Sequence, residues 1–323
     1  LVLRKLSLST LFKLLNILRK EKPDLIHTHG KGPGLYGRLL GWMLGIPVVH
    51  TFHGFQHKLL PVVQRWFYLF VENVLTLLTR HHIFVGNGEK NKAKVLMFLN
   101  DSNSSVVNNG IDLDSIQELP PAEEVLASLK LGPRESIKIF GTLSRVSPEK
   151  GLDTLLEGFF EAAKRAPYIR LLVIGDCPGE HEKYIKMITQ YIHENGLDDA
   201  VKILGAREDA LEILKSIDFY ISPSRSEGLP YNLLEALAVG KPVMATDIAG
   251  NNDIIRKSVE GILVPVNSAR TLAHGILTLL ELGPEERKAM RQNGKVRIRD
   301  EFSLNLMSEK TFSIYKKVLE RVN

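Results

Sequence analysis

Two glutamates, Glu227 and Glu235, stand with seven residues between them in "SEGLPYNLLEALAVGKPV". Between them the chain passes from loop into a helix that Pro230 can open as its first residue and Gly240 can close. The loop 226–231 then lies at a helix N-terminus, where free N–H groups and the helix dipole favour an anion such as a phosphate. Gly228 allows close backbone approach. Glu235 falls about a turn and a half into the helix, and helical side chains lean back toward the N-terminus. One short element thus offers N–H groups to a diphosphate and two separated carboxylates to hydroxyls, which are the parts of a nucleotide-sugar. The competing reading makes Glu227 a cap and Glu235 an ordinary exposed helix residue. A second segment bears on the choice. "GTLSRVSPEKGLDTLLEGF" ends a strand near Gly141 and opens a helix near Lys150, with Arg145 and Lys150 flanking the loop. A guanidinium fork and an ammonium point charge at such an edge suit a diphosphate; otherwise both are solvated surface cations.

The elements that must position these groups follow a repeating pattern of short apolar strand, loop and amphipathic helix. Strands are expected at 24–29, 46–53, 81–87 and 104–110, then at 137–143, 170–176, 201–206, 218–224, 241–247 and 261–266. Helices are expected at 10–21, 33–44, 61–80, 88–99, 150–165, 180–195, 207–216, 230–239, 268–281 and 303–322. Strands with little polar alternation, separated by helices, indicate α/β architecture with doubly wound parallel sheets covered on both faces. The expectation is two Rossmann-like domains with a cleft between them: residues 1–112, a Pro- and Gly-rich linker 113–136 with a short helix near 121–130, and residues 137–300. Residues 301–323 form a C-terminal helix expected to cross back to the first domain. The first domain begins on a helix and has four strands, so it reads as incomplete, about two or three strands short of its twin.

Composition narrows the class. The apolar share of 44% and charged share of 24% are those of a globular chain with real cores. A single cysteine, Cys177, excludes an internal disulfide and fits a reducing, cytoplasmic setting. No apolar run of about 18 residues occurs. Residues 1–113 carry 14 Lys/Arg against 6 Asp/Glu and seven of the ten histidines, whereas the remainder carries 28 against 31. A basic first half suits an anionic partner or simply a solvated face. No zinc-finger or RNA-binding motif is present, so a nucleic-acid partner is not expected. Gly32, Gly34 and Gly37 fall in G-x-G-x-x-G spacing, but no acid follows about 20 residues on and Pro33 removes an N–H, so close helix packing is the better reading. Asp112 and Asp114 form a D-x-D pair where a turn is expected, and a metal there is disfavoured. His27, His29, His50 and His53 lie on two strand segments; buried or ligand-lining histidine is preferred to a metal site. The segment 61–80 is apolar over much of its circumference and suits either a core or a membrane interface.

Taken in order, "HTHG", "VVHTFHG", "NNGID", "GTLSRVSPEKG" and "ISPSRSEGLPYNLLEALAVGKPVMATDIAGNNDII" resemble the retaining GT-B glycosyltransferases of glycosyltransferase family 4, over residues 24 to 265. The resemblance implies that Arg145 and Lys150 bind the donor diphosphate, Glu227 the donor-sugar hydroxyls and Glu235 the ribose hydroxyls. Gly228 and backbone amides around Leu229, Tyr231 and Asn232 would reach the distal phosphate, and loop 205–208 the base. His53 matches an acceptor-side histidine beside the reacting sugar. The implied catalytic set is His53, Arg145, Lys150 and Glu227, with no metal and no cofactor beyond the nucleoside-diphosphate sugar. Retention would follow from front-face attack, with Glu227 positioning; a nucleophilic glutamate is the competing idea. Departures are the missing glycine-rich acceptor-side loop, Cys177 where glycine is frequent, and Asp253 where glutamate is common. The expected function is hexose transfer to a carbohydrate or lipid-linked acceptor in surface-polysaccharide assembly, with peripheral contact with an anionic membrane at its inner face as a further expectation. The alternatives are a donor-binding but inactive fragment and a GT-B sugar-nucleotide epimerase.

Overall fold

The computed structural model describes residues 7–54 and 61–320, and these form two compact units, the first of described residues up to 110 and from 305 onward, the second of residues 111–304. In the first unit α1 (Leu8–Glu21) leads into β1 (Ile26–His29), α2 (Lys31–Leu44), β2 (Val48–Phe52), α3 (Val62–Leu77), β3 (His81–Phe84), α4 (Asn87–Leu96) and β4 (Ser104–Val106). The four strands are parallel and lie in sequence order. β2 and β3 are buried along their whole length, as expected of strands covered on both faces. The glycines of α2 serve packing: a Cβ on Gly34 would stand 2.5 Å from the His50 ring and one on Gly37 2.2 Å from the Thr28 methyl. A buried ion pair, Arg38 Nη1 to Glu72 Oε2 at 3.0 Å, ties α2 to α3.

The second unit begins with α5 (Leu113–Glu118) and α6 (Glu123–Ser128). The stretch 113–136 is therefore part of this unit and not a free linker. Lys215 Nζ donates to the Gln117 carbonyl at 2.9 Å, and the Ala122 N–H donates to Ser216 Oγ at 2.7 Å. The unit continues through β5 (Lys138–Leu143), α7 (Leu152–Arg165), β6 (Ile169–Ile174), α8 (Glu182–Glu194), β7 (Val201–Gly205), α9 (Ala210–Ser216), β8 (Phe219–Ser222), α10 (Tyr231–Ala238), β9 (Val243–Thr246), α11 (Ala249–Ile254), β10 (Gly261–Val264), α12 (Ala269–Glu281) and α13 (Pro284–Glu301). All six strands are parallel, in the order β10-β9-β8-β5-β6-β7. The sequence of strand additions reverses between β5 and β8, so the switch point at which ligands bind in open α/β sheets lies beyond the C-terminal ends of these two strands.

The core explains the order. α7 buries Leu152, Leu155, Leu156, Phe159 and Ala162, one stripe at helical spacing, against the sheet and α12. Helix α13 was not expected, because it is polar nearly all round and buries only Met290, Gly294 and Ile298 along one i,i+4 line. It is held by tertiary bonds: Arg297 Nη2 donates to the Asp253 carbonyl at 3.0 Å, and Gly294 packs on Leu237. The last helix, α14 (Leu304–Glu320), buries Ile314 and Val318 beside Val49, Ile83 and Val107 of the first unit.

Candidate active site

The two loops at the switch point of the second unit carry the predicted charged residues. Gly151 joins the short turn 148–150 to α7 with φ +68, a left-handed conformation natural to glycine; a Cβ there would come within 2.2 Å of the Pro223 carbonyl oxygen. That close approach sets Lys150 against the loop after β8. Lys150 Nζ lies 2.6 Å from Glu227 Oε1, with both side chains largely buried, and Ser224 Oγ donates to the same oxygen at 2.6 Å. The loop is anchored below by buried groups. Thr246 Oγ1 donates to the Ser224 carbonyl, and Asn251 Nδ2 donates to the Thr246 carbonyl at 2.8 Å. Arg225 clamps the two loops from the side, donating to Asp153 Oδ2 and Thr154 Oγ1, each at 2.8 Å. Burial works to raise the Asp153 carboxyl, but the bonds from Arg225 and Tyr184 outweigh it and hold it below the ordinary range.

Arg145 follows β5 in a loop pinned by the Val146 N–H on the Asp176 carbonyl at 2.7 Å. Its guanidinium is exposed and makes no hydrogen bond or ion pair among the described residues. Pro230 is extended and precedes the helix, so α10 begins one residue later than the sequence suggests, at Tyr231. The buried Gly228 and Leu229 lead into it. No side chain caps the helix, and the N–H groups of Tyr231 and Asn232 make no hydrogen bond among the described residues. Asn232 Nδ2 instead reaches across to the Leu143 carbonyl, where the buried Tyr220 hydroxyl also donates at 3.4 Å. This ties the first turn of α10 to the end of β5. Glu235, in the second turn, is half-buried without a bonding partner among the described residues, and burial pushes its carboxyl above the ordinary glutamate range. Burial pushes the Tyr220 hydroxyl up, and the charges of Glu235 and Glu227 add to the rise. Beyond the predicted residues, Ser224, Arg225, Thr246 and Asn251 complete the arrangement. Ser224 and Arg225 were visible as polar residues beside Glu227, whereas nothing local marked Thr246 and Asn251.

The first unit has its own cluster at the C-terminal ends of β1 and β2. His29 Nδ1 and His53 Nε2 are 2.9 Å apart, and the His27 and His29 ring centroids are 4.2 Å apart. His27 Nε2 bonds Thr51 Oγ1 at 2.7 Å, and its Nδ1 bonds the hydroxyl of Tyr315 on α14. Burial, followed by the neighbouring histidines, lowers His27 to about 4, and burial also lowers His29 and His53. These imidazoles are neutral at pH 7 and offer hydrogen bonds without charge. Among the described residues no three His, Cys, Asp or Glu form a group that could hold a metal ion. Asp112 caps α5, accepting from the Ser115 N–H at 3.2 Å, which accounts for the D-x-D pair. Burial, then Asp176 and Glu182, push the Cys177 thiol up, the opposite of activation. In loop 205–208, Arg207 pairs with Asp209 at 2.6 Å on the surface.

Known proteins share the family and the fold. Residues 128–297 match the family described as glycosyl transferases group 1, and residues 2–115 match Glycosyltransferase Family 4. The chain belongs to the glycosyl transferases group 1 family and has the GT-B fold of family 4 glycosyltransferases. It is 28% identical over 330 residues to the Escherichia coli UDP-Gal:alpha-D-GlcNAc-diphosphoundecaprenol alpha-1,3-galactosyltransferase, covering 96% of this chain and 77% of that one. In structure it is similar to Anabaena HepE in complex with UDP, with TM-score 0.83 and 20% identity over 95% of this chain and 82% of that one. It is likewise similar to a glycosyltransferase from Rickettsia africae, with TM-score 0.82 and 24% identity over 97% of this chain and 81% of that one.

Proposed function

We propose that this glycosyltransferase moves a hexose, with retention of configuration, from a nucleoside-diphosphate sugar to a carbohydrate or lipid-linked acceptor in surface-polysaccharide assembly. The observation that carries the reading is the Lys150–Glu227 contact at the switch point, together with the exposed Arg145 guanidinium, which has no partner among the described residues, and the start of α10, which no side chain caps. Its support for substrate class is the similarity to the E. coli enzyme, whose name specifies UDP-Gal and a lipid-diphosphate-linked sugar.

In this reading Arg145 and the N–H groups of Tyr231 and Asn232 hold the diphosphate. An ammonium has three donors, so Lys150 keeps its bond to Glu227 and still reaches a phosphate oxygen. As the bond from the anomeric carbon to the phosphate oxygen breaks, charge builds on the departing diphosphate, and these groups stabilise it. The acceptor oxygen bonds to the same carbon from the same face, and its proton passes to the leaving phosphate oxygen. A bare carboxylate beside that phosphate would oppose the step. Neutralised by Lys150 and Ser224, Glu227 can instead orient sugar hydroxyls. Glu235 accepts from ribose hydroxyls, and burial makes it reluctant to stay charged without such partners. His53, as a neutral imidazole, hydrogen-bonds the transferred sugar or the acceptor. No metal or further cofactor takes part.

The test is turnover of labelled UDP-hexoses with a lipid-diphosphate-linked N-acetylhexosamine, with chelator present, alongside calorimetry with a panel of nucleoside diphosphates. Product of retained configuration and chelator-insensitive rates are expected. Donor consumption without any acceptor would point to epimerisation. Undiminished nucleotide affinity in Arg145→Ala, Lys150→Ala and Glu235→Ala together would overturn the site.

A further inference from the structure

The cations of α13 divide by position. Near its C-terminus Arg297 pairs with Glu301 at 2.6 Å and Arg299 with Asp300 at 2.7 Å. Toward its N-terminus Arg287 is half-buried and Lys288, Arg291 and Lys295 are exposed, and none of the four makes a hydrogen bond or ion pair among the described residues. At helical periodicity these four fall within an arc of about 100°. The acids of the helix, Glu285, Glu286, Asp300 and Glu301, all lie outside it. The four, with Lys241 just before β9 and Gly240 at the end of α10, line one cavity of about 480 Å³, and among the described residues no acid lines it. Lys295 closes over Gly240, where a Cβ would stand 2.6 Å from the lysine Cε. Lys241 is half-buried, and its Nζ donates to the Lys215 and Ile217 carbonyls at 2.6 and 2.7 Å. The third donor of that ammonium is unused among the described residues. Burial, then the charge of Arg291, lower Lys241 to about 8. The acid nearby, Asp218, is taken by Arg134 at 3.0 Å.

Five cations around one hollow repel one another, and a basic domain does not explain them, since residues 114–323 carry 28 Lys/Arg against 31 Asp/Glu. The negative end of α10 does not explain them either, because about half a charge there calls for one cation. We infer that this cavity is a second anion site of the enzyme, taking a small soluble oligophosphate. Guanidinium forks beside ammonium point charges are the donors that phosphate oxygens use. The volume is that of a small-molecule pocket, and a hollow of this kind is closed to a flat bilayer. No aromatic residue lines it, so a nucleic-acid strand would find no ring on which to stack its bases. The site is separate from the donor loops. The eight residues of α10 span about 12 Å, with the donor-side N–H groups at one end and this cavity at the other. It needs neither substrate of the proposed transfer reaction.

The probe is inorganic tripolyphosphate, followed by calorimetry and thermal shift in an Arg145→Ala, Lys150→Ala background so that the donor loops contribute little. Tripolyphosphate should bind, more tightly than orthophosphate, and raise Tm. Adding Arg291→Gln and Lys295→Gln should weaken it at least about tenfold and leave the circular dichroism spectrum unchanged. Without any anion, the same two changes should raise Tm, because they remove unpaired like charges. A lower Tm instead would make these cations structural and overturn the site. Equal tripolyphosphate affinity with and without the two changes would overturn it, as would equally weak binding of tripolyphosphate and orthophosphate, which is ionic screening alone. Pelleting with phosphatidylglycerol vesicles that the two changes abolish, with no affinity for tripolyphosphate, would assign the cations to lipid headgroups and overturn it too. Tripolyphosphate binding in an enzyme that transfers no sugar would leave the site standing and count against the catalytic reading alone.

Discussion

The two sheets end in chemically opposite edges. Beyond β5 and β8 the groups are charged: a paired Lys150 and Glu227, an exposed Arg145 and a half-buried Glu235. Beyond β1 and β2 they are imidazoles and hydroxyls held neutral by burial and by one another. The same α/β arithmetic built both edges, so fold alone does not set their chemistry. What differs is the side chains delivered to the strand ends. A charged edge whose N–H groups have no partner among the described residues suits an anion whose charge grows during reaction; a neutral edge suits hydroxyls, to which it can donate or accept without a desolvated charge.

The sharpest way to break this contrast is at the ion pair. Lys150→Ala and Glu227→Ala should each lower kcat by about 10²- to 10³-fold, and the double variant should cost less than the product, because the two share one bond. Multiplicative losses in steady-state kinetics would mean the contact has no functional weight. At the neutral edge the prediction concerns stability. His27 titrates near 4 in the folded chain against an ordinary 6.5, so the unfolded chain binds the extra proton first. Stability is therefore full above the ordinary value and drains as pH falls from there toward 4, by about 1–2 kcal/mol between pH 7 and 5. Denaturant titrations of His27→Asn should show that part of the loss abolished. Next in size, Arg145→Ala should weaken nucleoside-diphosphate binding about tenfold, or about 1.4 kcal/mol, and flatten its salt dependence; an unchanged Kd at low salt would remove Arg145 from the site. The smallest effect should come from Glu235→Gln. Burial raises this carboxyl, so its contribution is favourable while protonated and is lost as pH rises through its folded value. The substitution should raise Tm at neutral pH, with the difference closing on acidification, while donor affinity falls.

Much of the fold was legible because strands and helices announce themselves locally. The strand expected at 137–143 runs Lys138–Leu143, and the helix expected at 150–165 runs Leu152–Arg165. Helix α13 escaped because local amphipathicity is its weakest feature, and its stability comes from bonds such as Arg297 to the Asp253 carbonyl. The stretch 113–136 read as a linker from its prolines and mixed charge, yet Lys215 and Ser216 bind it into the second unit. In the site, Glu227, Glu235 and the helix start between them were readable from one contiguous segment. Their electrostatic state was not, since Lys150 meets Glu227 across 77 positions of sequence and Tyr315 meets His27 across 288.

The sequence by itself determined the periodicities, the loop-to-helix passage after Gly228 and the carboxylate spacing, because these depend on residues a few positions apart. Only the tertiary structure decided which cation neutralises Glu227, which imidazoles lose their proton and which side of α3 is left facing outward. Those outcomes turn on desolvation and on contacts between distant segments, which exist only once the chain has packed.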